Sequence, residues 1–317
     1  MLAPICLFTY NRLAETLQTV NALQQNFLAS ESQLIIFSDG GKDEASWVKV
    51  NAIRAYLKSI IGFKTIEIIE SQVNKGLANS IISGVSEVLK AHGKVIVLED
   101  DLITSRNFLD FMNQALDFYE QQPKIHAISG YSYPIKYNKS DNYDASFGLR
   151  SYSWGWATWY DRWKNVDWEV KDYLTFKNSV AEKINFNRGG SDLSKMLRDQ
   201  MEGKLDSWMI RWVYHQYKNQ LYDVFPRISK VNNNGFTNAA THTNCSPLRY
   251  ITPLDISNKR TFEFDNQIEI NKKTLKQIQK KISVLRRIKY KLFDLLRISA
   301  LIINKTNTYV ESNKKNN

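Results

Sequence analysis

Cysteine is almost missing from this chain of 317 residues: Cys6 and Cys245 are the only two, with no CxxC pair. A disulfide framework is therefore excluded, and structural thiols in a reducing compartment are the reading that remains. No stretch of 18 uncharged apolar residues occurs, which argues against a spanning helix. The opening run Met1-Leu2-Ala3-Pro4-Ile5-Cys6-Leu7-Phe8 lacks the basic segment of a secretory signal and reads as a first core strand, so the expectation is a cytoplasmic protein. The body also lacks surplus positive charge. Lys and Arg number 30 against 30 Asp and Glu over residues 1–270, but 13 against 2 over 271–317. The whole excess of +11 thus lies in the tail, and a nucleic-acid partner, which needs cations across the main domain, is not expected.

What is present is apolar and periodic. Hydrophobic residues make up 43% of the chain, enough for a sizeable core. Apolar runs at 4–9, 34–37, 65–69 and 94–98 read as buried strands, and 125–130 as one more. Between them, 13–28, 44–61, 79–91 and 107–119 carry helical spacing. Strands alternating with helices predict an α/β fold with a mostly parallel sheet and right-handed crossovers. Ligands of such sheets bind beyond the carboxyl ends of the strands. Three of the first four strand ends carry polar clusters: Asn11-Arg12, Asp39-Gly40-Gly41 and Glu99-Asp100-Asp101. After about residue 125 the alternation fades until a helix at 206–219.

Three acids directly after a buried strand repel one another unless a cation or hydrogen-bond donors compensate. A hard divalent ion with oxygen ligands is one compensation, and it leaves positions for a diphosphate. The bland alternative is an acidic loop or a helix start, where acids favour the dipole. The apolar strand ending Glu99-Asp100-Asp101-Leu102, followed by Asn107-Phe108-Leu109-Asp110-Phe111, resembles the DxD-type motif of GT-A-fold glycosyltransferases. It is most similar to the inverting N-acetylglucosaminyltransferases and to bacterial relatives that build surface polysaccharides. Pro4 to Arg12 is similar to their first strand and nucleotide-binding turn, Phe37-Ser38-Asp39-Gly40 to their second strand end, and Asn74-Lys75-Gly76-Leu77-Ala78 to the Asn-x-Gly element of glycosyltransferase family two. The resemblance covers roughly residues 4–245. It implies a Rossmann-like GT-A sheet, a nucleotide-sugar donor (UDP by resemblance alone), and Mn²⁺ or Mg²⁺ held by Asp101. It also implies donor contacts from Thr9, Asn11, Arg12, Asp39, Asn74, Gly76, Glu99 and Asp100. Against these stand plainer roles: Arg12 as a helix cap or partner of Glu15, Asp39 as the Asp-Gly turn residue.

Asp206, where a helix begins, reads on its own as an N-cap. The segment Asp206-Ser207-Trp208-Met209 is similar to the Asp-Asp-Trp-Met of the same family, which implies that Asp206 is the base taking the acceptor hydroxyl's proton. Five of the eight tryptophans (Trp154, Trp156, Trp159, Trp163 and Trp168) crowd into fifteen residues. Their faces suit sugar rings, and equally a packed core. Resemblance singles out Trp154, Gly155 and Trp156 as donor-side residues. His242, in the loop Gly235 to His242, is similar to a Gly-Thr-His element that returns to the metal or diphosphate. A solvated loop histidine is the plain alternative.

Apolar residues recur at Leu275, Ile278, Ile282, Leu285, Ile288 and Leu292 amid Lys and Arg, a basic amphipathic helix. An anionic membrane face is the favoured partner. Docking on the body and a coiled coil are the alternatives. The expected organisation is a nucleotide-sugar-binding half at 1–125, an acceptor-side half of the same domain at 126–260, the basic helical tail at 271–305, and disorder at 306–317. The function expected is glycosyl transfer to a glycan or lipid-linked acceptor at the inner face of the cell membrane, with self-association left open. A nucleotidyltransferase would carry a Gly-rich basic loop after strand one, and Thr9-Tyr10-Asn11-Arg12-Leu13 has no glycine. A carbohydrate-binding scaffold would leave the acidic strand end without a purpose.

Overall fold

The computed structural model describes residues 1–137, 142–235 and 250–292, so His242 and the tail beyond 292 lie outside the described residues. The first part runs β1 (Ile5–Thr9), α1 (Leu13–Gln24), β2 (Gln33–Ser38), α2 (Glu44–Leu57), β3 (Thr65–Glu70), α3 (Leu77–His92), β4 (Lys94–Glu99), β5 (Leu102–Thr104) and α4 (Phe108–Tyr119). The second part runs β6 (Ile125–Ser129), β7 (Ala145–Gly148), β8 (Trp156–Trp159), α5 (Tyr160–Trp163), α6 (Tyr173–Asn178), α7 (Val180–Phe186), α8 (Leu193–Met201), α9 (Trp208–Lys218), β9 (Tyr222–Pro226), β10 (Val231–Asn233) and α10 (Lys272–Lys281).

Side-chain alternation sets the layers. Ile5 and Leu7 of β1 join one apolar cluster, Cys6 and Phe8 another, and β4 splits the same way with Ile96 and Leu98 against Val95 and Val97. Helices α1, α2 and α4 cover the first face, while α3 and α9 cover the second. The result is the expected α/β arrangement, a large sheet between helices. Its eight strands run β3-β2-β1-β4-β8-β6-β9-β7. The first four are parallel, β8 is antiparallel to both neighbours, β6 and β9 are parallel, and β7 is antiparallel. The chain steps from β1 outward to β2 and β3, then returns to place β4 on β1's other side. The crevice therefore opens between the carboxyl ends of β1 and β4, where the strand order reverses. Register pairs Phe8 with Glu99, so the two polar strand ends start from one point.

Most of the crowded tryptophans form core. Trp156, Trp163, Trp168, Trp208 and Trp212 stack or tilt against one another with centroids 4.7–6.4 Å apart. Beyond residue 250 the chain returns over α4, with Phe262 and Phe264 against Phe111 and the Tyr119 hydroxyl donating to Asp265 O at 2.8 Å.

The basic tail is two helices rather than one. Ile278 and Ile282 of the first pack among Tyr131, Tyr133, Tyr152 and Trp154, and Gln277 exchanges two hydrogen bonds with the Lys136 backbone. Docking, one of the two plainer alternatives, thus holds for α10. The helical pattern breaks at Ser283, whose carbonyl and hydroxyl accept from the Arg287 and Arg286 amides and start a second helix over 284–292. The 3-4 spacing of Leu275, Ile278, Ile282 and Leu285 is turned aside there, ahead of Lys289, where the sequence itself interrupts it.

A polar network lies under the second half of the sheet. His126 Nδ1 is 3.3 Å from Asp223 Oδ1, Gln216 Nε2 donates to the same oxygen at 3.1 Å, and the Ser151 hydroxyl stands 3.4 Å from His126 Nδ1. Burial pushes the Asp223 carboxyl up to about 8 and drives His126 well below its ordinary value of 6.5. Both are thus neutral at pH 7. Between the ordinary aspartate value of 3.8 and about 8, the folded protein keeps a proton that the unfolded chain has released. Stability from this group is full below that window and is lost as pH rises through it, by at most about 1.4 kcal/mol per pH unit. Read between pH 7 and 8, where the unfolded histidines are mostly deprotonated, Asp223→Asn should flatten the fall. Urea unfolding midpoints across that range check this.

Candidate active site

The carboxyl ends of β1 and β4 open onto a cavity of about 360 Å³, in the ~300–1,000 Å³ range of small-molecule sites. Thr9, Asn11, Arg12, Asp39, Asn74, Gly76, Glu99, Asp100, Asp101, Trp154 and Asp206 all line it. Residues from six separated segments of the sequence therefore meet in one place.

Its electrostatic centre is Arg12. The Nη2 donates to Asp100 Oδ1 at 2.7 Å and to Asp101 Oδ2 at 3.0 Å, bridging the two acids. Burial works against the Arg12 charge, but Asp100 and Asp101 more than reverse this, and its pKa lies above the ordinary value. Arg12 does stand at the N-cap position of α1, where its carbonyl accepts from the Thr16 amide, but its side chain makes no capping bond and turns to the two acids. Asp100 also accepts from the Tyr10 amide at 3.2 Å. Burial raises its carboxyl to about 6, with Arg12 opposing and Asp101 adding to the rise. Glu99 rises further, to about 8, through burial and then the charges of Asp101 and Asp100, while a hydrogen bond from Ser153 and the charge of Arg12 oppose it. One guanidinium is too little positive charge for three acids in so small a volume.

That shortage is the observation against which a divalent cation is tested. Among the described residues no group of three His, Cys, Asp or Glu side chains is arranged to hold a metal. A cation here would take Asp101 as its protein ligand and complete its shell with donor phosphates and water, the arrangement Mg²⁺ and Mn²⁺ accept. An all-oxygen donor set with excess negative charge suits such an ion. Its arrival would replace the contact between Arg12 and Asp101.

Asp39 sits at the end of β2 with both oxygens engaged. Oδ1 accepts from the Gly40 and Lys75 amides at 2.9 and 2.8 Å, and Oδ2 from the Gly76 amide and Asn74 Nδ2 at 3.0 and 3.2 Å. In this arrangement Asp39 closes the 74–76 loop onto β2, and a base donor would have to displace one of these bonds. Gly76 adopts φ +76°, a backbone state that side chains disfavour, as it turns the loop into α3.

Asp206 lines the same cavity, its side chain 66% exposed and 3.7 Å from Arg211 Nη2. The expected helix cap is the next residue instead: the Ser207 hydroxyl accepts from the Ile210 amide at 3.3 Å. Asp206 is thus left with no structural task beyond a weak exposed ion pair. Gln200 Oε1 holds the Ser207 amide at 2.6 Å, fixing the turn to the end of α8.

Trp156 and Gly155 do not line the cavity. Trp156 is 1% exposed within the tryptophan core. Gly155, at φ +59°, is needed where a Cβ would lie 2.8 Å from Val231 and 3.1 Å from Phe108. Trp154 alone of the three reaches the site, backed by Tyr131 at 4.6 Å.

Several lining residues lie outside the sequence reading. β10 pairs antiparallel with β5, which brings Asn233 Nδ2 to 3.3 Å from Asp101 Oδ1 and the Asn234 amide to 2.8 Å from Asp101 O. Gly235 then passes so close that an added Cβ would lie 2.0 Å from Asp101 Oδ2. Ser153, Lys42 and Ser80 also line the cavity. Only Gly235 carried a local signal, as a glycine opening a loop. Asn233 depends on a strand pairing between distant segments.

The contrast between Asp39 and Asp206 is measurable. Asp39→Ala removes four acceptor contacts at a buried site and should cost about 2–3 kcal/mol of stability in urea unfolding. Asp206→Ala should stay within about 0.5 kcal/mol of the parent, as for an exposed side chain without structural partners.

No protein-family model and no curated protein sequence matches the chain. Among solved structures it is similar to the mannosyltransferase PcManGT from Pyrobaculum calidifontis, solved with GDP-Man and Mn²⁺, at 12% identity over 50% of this chain and 44% of that one, with a TM-score of 0.35. It is similar to S. aureus TarS 1-349 at 10% identity over 74% and 61%, TM-score 0.41. Mouse xyloside xylosyltransferase 1, in its apo form, is similar at 9% identity over 69% and 82%, TM-score 0.35. The chain spans less than two thirds of the length of the first two of these structures.

Proposed function

We propose that this chain is a metal-dependent glycosyltransferase that moves a sugar from a nucleotide diphosphate donor, a UDP-sugar in the first instance, to a glycan or lipid-linked hydroxyl with inversion. The observation that carries the reading is the juxtaposition in one cavity of a charge-deficient carboxylate cluster at the β1–β4 switch point and an exposed aspartate with no structural role. The first suits a diphosphate held through a cation, the second a proton acceptor.

Asp101 holds Mn²⁺ or Mg²⁺ in this reading, and the ion, when bound, neutralises charge on the departing diphosphate. Arg12, released from Asp101, turns toward the phosphates while keeping Asp100. Glu99 and Asp100 meet ribose or sugar hydroxyls, and Thr9, Asn11, Asn74 and Gly76 shape the nucleotide's side. Trp154 offers an aromatic face to a sugar ring. Asp206 accepts the hydroxyl proton as the acceptor oxygen forms its bond to the anomeric carbon on the face opposite the leaving group. Synthesis of a surface polysaccharide at the inner face of the cell membrane is the setting proposed for it.

Thermal shift against UDP-, GDP-, CMP- and dTDP-sugars, with Mn²⁺ and with EDTA, tests the donor side. One nucleotide should stabilise only with metal, and Asp101→Ala should abolish that shift. Silence with every nucleotide would remove the donor assignment. Asp206→Asn should keep the shift and lose turnover by about 10²–10⁴-fold, and full activity in this variant would take Asp206 out of the mechanism.

A further inference from the structure

The second tail helix turns its apolar stripe away from the protein. Over 284–292 the positions partly covered by the body are 287 and 290, and Arg287 Nη2 donates to Ser191 Oγ and O at 3.0 and 3.3 Å. Leu285, Ile288 and Leu292, spaced three and four apart on one face, are each at least half exposed. A helix that meets its own protein through an arginine and leaves its leucines outside is built for another apolar phase. Residues 271–292 carry nine Lys or Arg and no Asp or Glu, and seven of the eleven residues at 293–303 are Phe, Leu or Ile.

A second feature adjoins it. On α6 and α7, Leu174, Val180 and Ile184 are each more than half exposed, beside Lys171, Lys177 and Lys183. The acids of α7 and of the turn into α6 are engaged by the body: Asp172 Oδ2 accepts from the Tyr214 hydroxyl, Glu182 Oε2 from the Tyr217 hydroxyl, and Lys218 lies near both, while Glu169 pairs with Lys171 at 3.5 Å. The segment just after α7 joins the tail directly, since Gln279 Nε2 donates to Arg188 O at 3.0 Å and Ser191 Oγ to Ile282 O at 2.9 Å.

From these two surfaces we infer a single docking face for an anionic lipid bilayer, formed by α6–α7 together with the helix at 284–292, with α10 as the clamp that fixes the helix to the body. Apolar side chains enter the headgroup boundary and the flanking cations meet lipid phosphates. The clamp packs against Tyr152 and Trp154, so the lipid-facing helix is tied to the wall of the cavity. Among the described residues no helix is long and apolar enough to cross a membrane, and the contact is one of lying on the surface.

The test is sedimentation of the full chain with phosphatidylcholine vesicles, with and without phosphatidylglycerol. It involves no donor and no turnover, so its failure and that of the transferase reading are separate. The protein should partition onto anionic vesicles only, and release as salt is raised. Leu285→Ser/Ile288→Ser/Leu292→Ser and, separately, Leu174→Ser/Val180→Ser/Ile184→Ser should each weaken partitioning at least about tenfold with unchanged melting temperature. Equal binding to neutral vesicles, or none to anionic ones, overturns the proposal. An effect of the tail triple alone removes α6–α7 from the face. A dimer in light scattering that either triple dissolves makes the surface an interface between copies instead.

Discussion

Everything at the cavity depends on one guanidinium. Glu99, Asp100 and Asp101 follow a buried strand with no residue to separate them, and left to themselves they would repel until one or more took up a proton. Arg12 reaches them because β1 and β4 are hydrogen-bonded neighbours in a register that starts both strand ends together. Its single charge holds Asp100 in place and leaves the cluster negative overall. A buried ion pair of this kind is costly to break from one side, since the remaining charge has no water to turn to. The same strand end then organises its surroundings, with Asp101 anchoring the Asn233–Gly235 turn and Asp100 the Tyr10 amide.

The aromatic residues divide by depth. Five tryptophans, with His126 stacked on Trp212 at 3.6 Å, make a rigid layer between the sheet and α9. Burying such rings is worth several kcal/mol each, far more than a sugar contact would return, and packing is their first task. The layer still serves the site, because Trp208 opens the helix that Asp206 immediately precedes. Rigid packing beneath α9 fixes where that carboxylate stands.

The first half of the fold was legible because period 2 and period 3.6 alternate cleanly there, and strands 4–9, 34–37, 65–69 and 94–98 correspond to β1 through β4 within two residues at either end. The carboxylates, Arg12 and Asp206 were legible as strand-end and helix-start residues, and the structure gathers them at one cavity. The second half was not, since β7, β8 and β10 are three or four residues long and short strands carry little periodic signal. Trp156 read as a site residue because aromatic faces suit sugars and cores alike, and only burial separates the two. Asn233 and Gly235 reach Asp101 through an antiparallel pairing across more than a hundred residues, which no local pattern announces. Ser283 shows the reverse: an apolar spacing that ran on in sequence was interrupted by one hydroxyl able to start a new helix.

Antiparallel β8, wedged between β4 and β6, divides the sheet into two parts. On one side lie the parallel strands whose register fixes the carboxylates, on the other a set of short strands and helices joined to them through the β4–β8 ladder and the short β5–β10 pair. The Phe8–Glu99 register that organises the cavity's charge lies wholly in the first part, while Trp154, Asp206 and Asn233 reach the cavity from the second. A sheet built this way lets the lining supplied by its second part change while the strand register beneath the carboxylates stays as it is.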